Sequence, residues 1–290
     1  MDPVPQGECL DLDAEVGEIA VWGVVPPAIE FGTPEIEPGR VHVHRRLDRQ
    51  AQKDIDSSYS IVTVRNGENR LVIEGTAAVA YSISELTGRE MTPLVCPHCG
   101  ETHIDELKFA THPHAKHLCN SCGRNFFDRE PSISNPLAEA NKQLGLPQPP
   151  DVENADRPLE ITSSDYRGIA LWPSNAAIVS TMSRPEEVGV HVHAWDLNGR
   201  MTIDETFSPV VIDGHPIGEA QLRLLAAQRA LADGAPVISK SCDGCGRSLA
   251  SPESDWLEPV TKHRCGQCGA QTSTRRRSFL NPLADVLDGE

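Results

Sequence analysis

The sequence predicts an α+β fold in two tandemly duplicated domains, each a small β-meander plus a helix followed by a C-terminal module of four cysteines. Three observations carry that expectation. Six sequence blocks recur in one order at offsets drifting from 150 to 146 residues, alternating β-branched runs precede a helical apolar face in each copy, and each copy then holds four cysteines at the same spacing.

The blocks locate the elements. GEIAVW (Gly17 to Trp22) recurs as RGIALW (Arg167 to Trp172), GRVHVH (Gly39 to His44) as VGVHVH (Val188 to His193), and KDIDSSYSIV (Lys53 to Val62) as MTIDETFSPV (Met201 to Val210). Each copy closes on Asn-Pro-Leu-Ala, at Asn135 to Ala138 and Asn281 to Ala284, an exit turn in which proline holds the asparagine extended. IAVWGVV, RVHVHRR and YSIVTV read as strands. A helix follows in copy 1 over Val79, Ile83 and Leu86 with Gly88 as its cap; in copy 2 Ala220, Leu224, Ala227 and Leu231 share a face ahead of Gly234. The expected boundaries are a tail at 1–13, repeat 1 at 14–141, a proline-rich linker at 142–158 and repeat 2 at 159–287. Aromatic residues are 4% of the chain, so the cores rest on Val, Ile, Leu and Ala, with Trp22 and Trp172 as packing residues.

Eight of the nine cysteines fall in Cys-x-x-Cys-Gly sets: Cys96, Cys99, Cys119 and Cys122 in repeat 1, and Cys242, Cys245, Cys265 and Cys268 in repeat 2. The two-residue gap lets two thiolates approach one metal in a tight knuckle, and the following glycine supplies the left-handed backbone that turns the chain away. Two knuckles make a tetrahedral four-thiolate site. Residues 96–124 and 242–270 therefore resemble zinc ribbons built from two rubredoxin-like knuckles. The resemblance implies two structural Zn2+ per chain, closed to water and substrate. Cys9 is left as an ordinary thiol.

The histidines offer a second chemistry. On a strand, Val41 and Val43 face one way and His42 and His44 the other, with Val190, Val192, His191 and His193 repeating the pattern. Two imidazoles on one face can ligate a metal or can be polar residues at solvent. Asp54 and Asp56, matched in repeat 2 only by Asp204, could supply a carboxylate at Asp56, with a turn cap or an arginine pair as the alternative for such an aspartate. FATHPHAKHLC adds His112, His114 and His117, which could converge with His42 and His44 or with Asp105; repeat 2 keeps only His263 there. His42, His44, Asp56, His112, His114 and His117 are thus the candidate catalytic set, able to hold a third, His-ligated metal, with an exposed ribbon tip as the alternative.

The formal charge of -16 opposes binding to phosphate backbones and favours basic partners. Arg275, Arg276 and Arg277 form a local basic run that suits a phosphate, an acidic partner or plain solvation. No run approaches the roughly 18 apolar residues of a membrane span, and MDPVPQGECLDLD lacks the basic and apolar parts of a secretion signal. The expected setting is cytoplasmic, with no membrane. The leading expectation is a non-enzymatic adaptor docking protein partners through two pseudo-equivalent domains. The alternatives are a metal-dependent hydrolase using the repeat 1 histidines, and nucleic-acid binding through the second ribbon.

Overall fold

The computed structural model describes residues 9–47, 52–148, 152–182, 187–232, 234–249 and 258–284. Most of the regular structure is strand, with few and short helices. The chain forms two compact units, Met1–Val25, Glu37–Val152 and Asn175–Glu186 making the first, and Pro26–Ile36, Glu153–Ser174 and Glu187–Glu290 the second. Each unit thus takes one short segment from the other half of the sequence.

The first unit has an antiparallel sheet ordered Val179–Ser180, Glu18–Gly23, Val41–Arg46 and Ile55–Tyr59. Val41 and Val43 are fully buried and His42 and His44 are half-buried on the opposite face, as period-two alternation requires. A second sheet pairs Cys9–Asp13 in parallel with Ile61–Asn66, which runs antiparallel to Asn69–Glu74. Between them α1 (Gly75–Thr87) buries Ala78, Ile83 and Leu86, leaves Val79 half-buried, and ends on Gly88 at φ 63°. Gly23 lets α1 lie directly on the sheet: a Cβ there would collide with the Ala78 backbone, and its N–H donates to Ser82 Oγ at 3.0 Å. Asn135 ties the end of the long strand Asn125–Ser134 to this layer, donating to the Ala77 carbonyl and accepting from Leu137 N, both at 2.9 Å.

Two boundaries differ from the sequence expectation. Residues 9–13 are a strand, because CLDLD alternates and places Leu12 in the core at 1% exposure. The stretch 142–148 begins inside the first unit: α2 (Ala140–Gln143) leads to a fully buried Leu144, whose carbonyl accepts from Asn66 Nδ2 and Asn69 Nδ2. Residues 153–154 then pair with Glu187–Val188 in the second unit.

The second unit runs through the same kinds of element. Its antiparallel sheet is ordered Met201–Phe207, Val190–Asp196, Tyr166–Pro173 and Ile29–Gly32. Leu159–Ile161 pairs in parallel with Val210–Ile212, which runs antiparallel to His215–Ile217. The helix α3 (Glu219–Ala230) buries Leu222, Leu224, Leu225, Ala226 and Ala227, a broader stripe than expected, and Ala220 is exposed. Its C-cap is Leu231 and not Gly234, so Leu231 packs as the first residue beyond the last turn. Asn281 repeats the exit turn, accepting from Leu283 N at 2.9 Å.

Candidate metal centres

In each unit paired strands bring two knuckles together. In the first, Leu94–Val95 pairs with Thr102–His103 around Cys96 and Cys99, and His114–Leu118 pairs with Asn125–Ser134 around Cys119 and Cys122. Gly100 N donates to the Cys96 carbonyl at 2.9 Å and Gly123 N to the Cys119 carbonyl at 2.8 Å, with φ of 77° and 69° at the two glycines. The second unit repeats this at Gly246 and Gly269, with φ of 72° and 75°. A β-carbon is strained at such φ, which explains the glycine after each Cys-x-x-Cys.

The sulfurs converge in two groups of four. Cys96–Cys122 and Cys99–Cys119 Sγ distances are 3.8 and 3.7 Å, and Cys242–Cys268 and Cys245–Cys265 are 3.5 and 3.8 Å. A disulfide would need about 2.05 Å. A tetrahedron of thiolates on Zn–S bonds of about 2.3 Å has edges of about 3.8 Å, so the sulfurs stand where a four-coordinate zinc would hold them. Cys96, Cys119, Cys242 and Cys265 are buried against Phe126 and Leu94 in the first module and against Leu249 and Leu280 in the second.

Their electrostatics suit a cation. Backbone N–H groups of Cys122 and Ser121 aim at Cys119 and, with the Cys96 thiol, bring it down to about 6. Those of Cys268 and Gln267 do the same for Cys265, also about 6. Although the Glu101 N–H favours the Cys99 thiolate, desolvation and the sulfurs of Cys119, Cys96 and Cys122 push Cys99 up to about 12. Likewise the Ala270 N–H favours the Cys268 thiolate, but Cys242, desolvation and Cys265 push it up to about 11. Negative charge on one sulfur therefore opposes charge on its neighbours. A divalent cation removes that conflict.

The histidines form three further groups. In the first unit the register sets His44 opposite Asp56 and His42 opposite Ser58. His42 Nε2 lies 2.8 Å from His44 Nε2, and Asp56 Oδ1 is 3.5 and 3.6 Å from them. Lys53 Nζ stands 3.4 Å from His44 Nε2 and 3.7 Å from Asp56 Oδ2. In the second unit the register sets His193 opposite Asp204 and His191 opposite Thr206. There the corresponding distances are 2.9 Å between the Nε2 atoms and 3.2 and 3.0 Å to Asp204 Oδ1. Trp22 meets the His44 ring edge-on at 5.0 Å, and Trp172 meets His193 likewise at 5.0 Å. Asp54 instead pairs with Arg45 at 2.6 Å, which holds its carboxyl below the usual range.

The third group was only partly foreseeable. His114 Nε2 and His117 Nδ1 lie 3.1 and 3.2 Å from Asp105 Oδ1, and His103 Nε2 joins them at 2.9 Å. Asp105 Oδ2 accepts from Ser134 N at 2.7 Å. His103 and Asp105 alternate in THID, which was the available signal for His103. His112 does not join: its Nδ1 is 2.8 Å from the Lys108 carbonyl at the turn. In the second unit His263 meets Ser278 Oγ at 3.2 Å, and Leu249 follows its first knuckle where His103 follows that of the first unit. Arg275, Arg276 and Arg277 are exposed, with Arg277 Nε donating to the Pro259 carbonyl. No helix among the described residues is long and apolar enough to cross a membrane. The chain matches no protein-family model, no curated protein and no solved structure.

Proposed function

We propose that this chain is a non-enzymatic zinc-ribbon binding protein, built by duplication of one strand–helix–ribbon unit, that docks protein partners through its ribbons. The observation that carries the reading is the sulfur geometry. Four thiolates close the coordination shell, so Cys96, Cys99, Cys119 and Cys122, and their counterparts Cys242, Cys245, Cys265 and Cys268, stabilise surface hairpins and do no chemistry at the metal. In the first ribbon the outer face of the hairpin formed by His114–Leu118 and Asn125–Ser134 supports docking: Leu118 and Phe127 lie there at 57% and 73% exposure, opposite the buried pair His117 and Phe126. The equivalent places in the second ribbon are Arg264 and Ser273, so the two ribbons suit different partners, one apolar and one acidic. Duplication is supported by the order of elements and by the strands Asn125–Ser134 and Gln271–Leu280, which share one burial pattern residue for residue.

The test is crosslinking of the zinc-loaded chain to a partner in its native extract. A Leu118→Ser, Phe127→Ser double variant loses that partner on this reading, and a His112→Ala variant keeps it. Retention by the double variant overturns docking through the first ribbon. A second reading, a metal-dependent hydrolase, is favoured by the convergence of His42, His44 and Asp56. It requires turnover of a chromogenic ester or phosphoester by the metal-loaded chain that vanishes on His44→Ala.

A further inference from the structure

We infer that His42, His44 and Asp56 in the first unit, and His191, His193 and Asp204 in the second, are two equivalent open-sided binding sites for a first-row divalent transition metal. This goes beyond the docking reading and does not depend on it, since these six residues contribute nothing to the sulfur centres.

Four observations lead to it. The first is the donor set. Two imidazoles and one carboxylate suit borderline cations such as Fe2+, Co2+ and Zn2+, and leave positions free for water or an oxygen ligand. The second is the spacing. Three ligand atoms on one face of an octahedron with bonds of about 2.1 Å are about 3.0 Å apart. In the second unit the three separations are 2.9, 3.0 and 3.2 Å, and in the first they are 2.8, 3.5 and 3.6 Å, wider toward Asp56.

The third observation is the outer partner. A metal-ligating histidine is oriented by a bond from its other ring nitrogen. His42 Nδ1 meets Ser58 Oγ at 3.1 Å, and His191 Nδ1 meets Thr206 Oγ1 at 3.2 Å. Each hydroxyl sits directly across the strand pair from its histidine and leaves Nε2 aimed at the carboxylate. A serine in one unit and a threonine in the other do the same work, which a merely solvated face would not need. The fourth is access. The side chains are 9 to 26% exposed, sheltered enough to exclude most competing water yet reachable from solvent.

One neighbour that differs between the two sites is charged. Lys53 brings an ammonium beside Asp56 and His44, and the residue at its place in the second unit is Met201. A fixed positive charge repels an incoming dication, so the second unit binds more tightly. The ligand class that completes either centre is a small oxygen donor, water or a carboxylate, because three imidazole and carboxylate ligands leave a dication with net positive charge on its open side.

The experiment uses the full chain with its sulfur centres already filled with zinc, dialysed against Co2+. Zinc is preferred over cobalt at such sites, so cobalt reports the remaining ones. Expected are two Co2+ per chain that disappear in the combined His42→Ala, His44→Ala, His191→Ala, His193→Ala variant, one being lost with each pair, counted apart from any cobalt at His103, Asp105 and His117, which these variants leave in place. Their spectrum has weak visible bands and no thiolate charge transfer. Zinc content stays at the parent level, which shows that the fold survives. The near-isosteric Asp56→Asn, Asp204→Asn pair repeats the loss without changing volume, and Thr206→Val weakens the second site about 10- to 100-fold without changing the number of sites. Cobalt uptake that is unchanged in the combined and aspartate variants, or no uptake beyond the zinc complement, overturns the inference.

Discussion

Loading zinc into the metal-free chain should expel a defined minimum of protons, and that minimum follows from the thiols. At pH 7 Cys99, held at about 12, and Cys122, raised above its ordinary value, carry protons that zinc must displace. In the second centre Cys268, at about 11, does the same. Loading both centres therefore releases at least three protons per chain at pH 7. Cys119 and Cys265, at about 6, are already thiolates there and add nothing. Below pH 6 they are protonated in the metal-free chain, and the minimum rises to five. Each displaced proton weakens apparent binding about tenfold per pH unit of acidification, so the first centre loses at least about 100-fold per unit above pH 6 and about 1000-fold below it. The sign is the same for the metal-free fold. A thiol depressed below the free value of about 8.5 stabilises the folded chain above that value, and the contribution is lost as pH falls through 6. Calorimetry of zinc binding in buffers of different ionisation enthalpy counts these protons. Fewer than three at pH 7, or an equal count at pH 5 and pH 7, refutes the electrostatic account of the clusters.

Three substitutions test the fold and the His/Asp sites. Leu12→Ala removes a fully buried side chain from the strand Cys9–Asp13 and should cost about 2–5 kcal/mol in denaturant unfolding; a cost under 1 kcal/mol would mean the N-terminal strand is not part of the core. Gly23→Ala drives a methyl into the Ala78 backbone and should lower stability by about 1–3 kcal/mol, read as a lower melting temperature, whereas an unchanged one would separate α1 from the sheet. Lys53→Met should tighten Co2+ binding by the first unit about tenfold and leave the second unit unaffected, measured by titration of the zinc-filled chain; equal affinities before and after would remove the charge argument.

Much of this architecture was legible because the signals were redundant. Val-His-Val-His fixes strand and facing together, and the Cys-x-x-Cys-Gly spacing fixes the knuckle through both sulfur reach and glycine φ. Asp56 opposite His44 follows once the register is known, but register is a property of two strands and neither one states it. Other features lay below the sequence signal. Cys9–Asp13 is too short for its alternation to stand out from a tail, and Leu144 is buried within a stretch whose prolines suggested a linker. The placement of Ile29–Gly32 and Val179–Ser180 in sheets of the opposite half has no local signature, since pairing across such distances is decided by packing. His103 was missed because histidine near a knuckle reads as polar surface, while its burial depends on Phe126 and His117 arriving from another hairpin.

Zinc K-edge absorption of the full chain, dialysed against a mild chelator to strip weakly held ions, decides whether the eight cysteines hold metal through sulfur alone. Two zinc ions per chain should be retained, each with four sulfur neighbours at about 2.3 Å. Fewer than two retained ions, or nitrogen among their neighbours, would contradict that ligation.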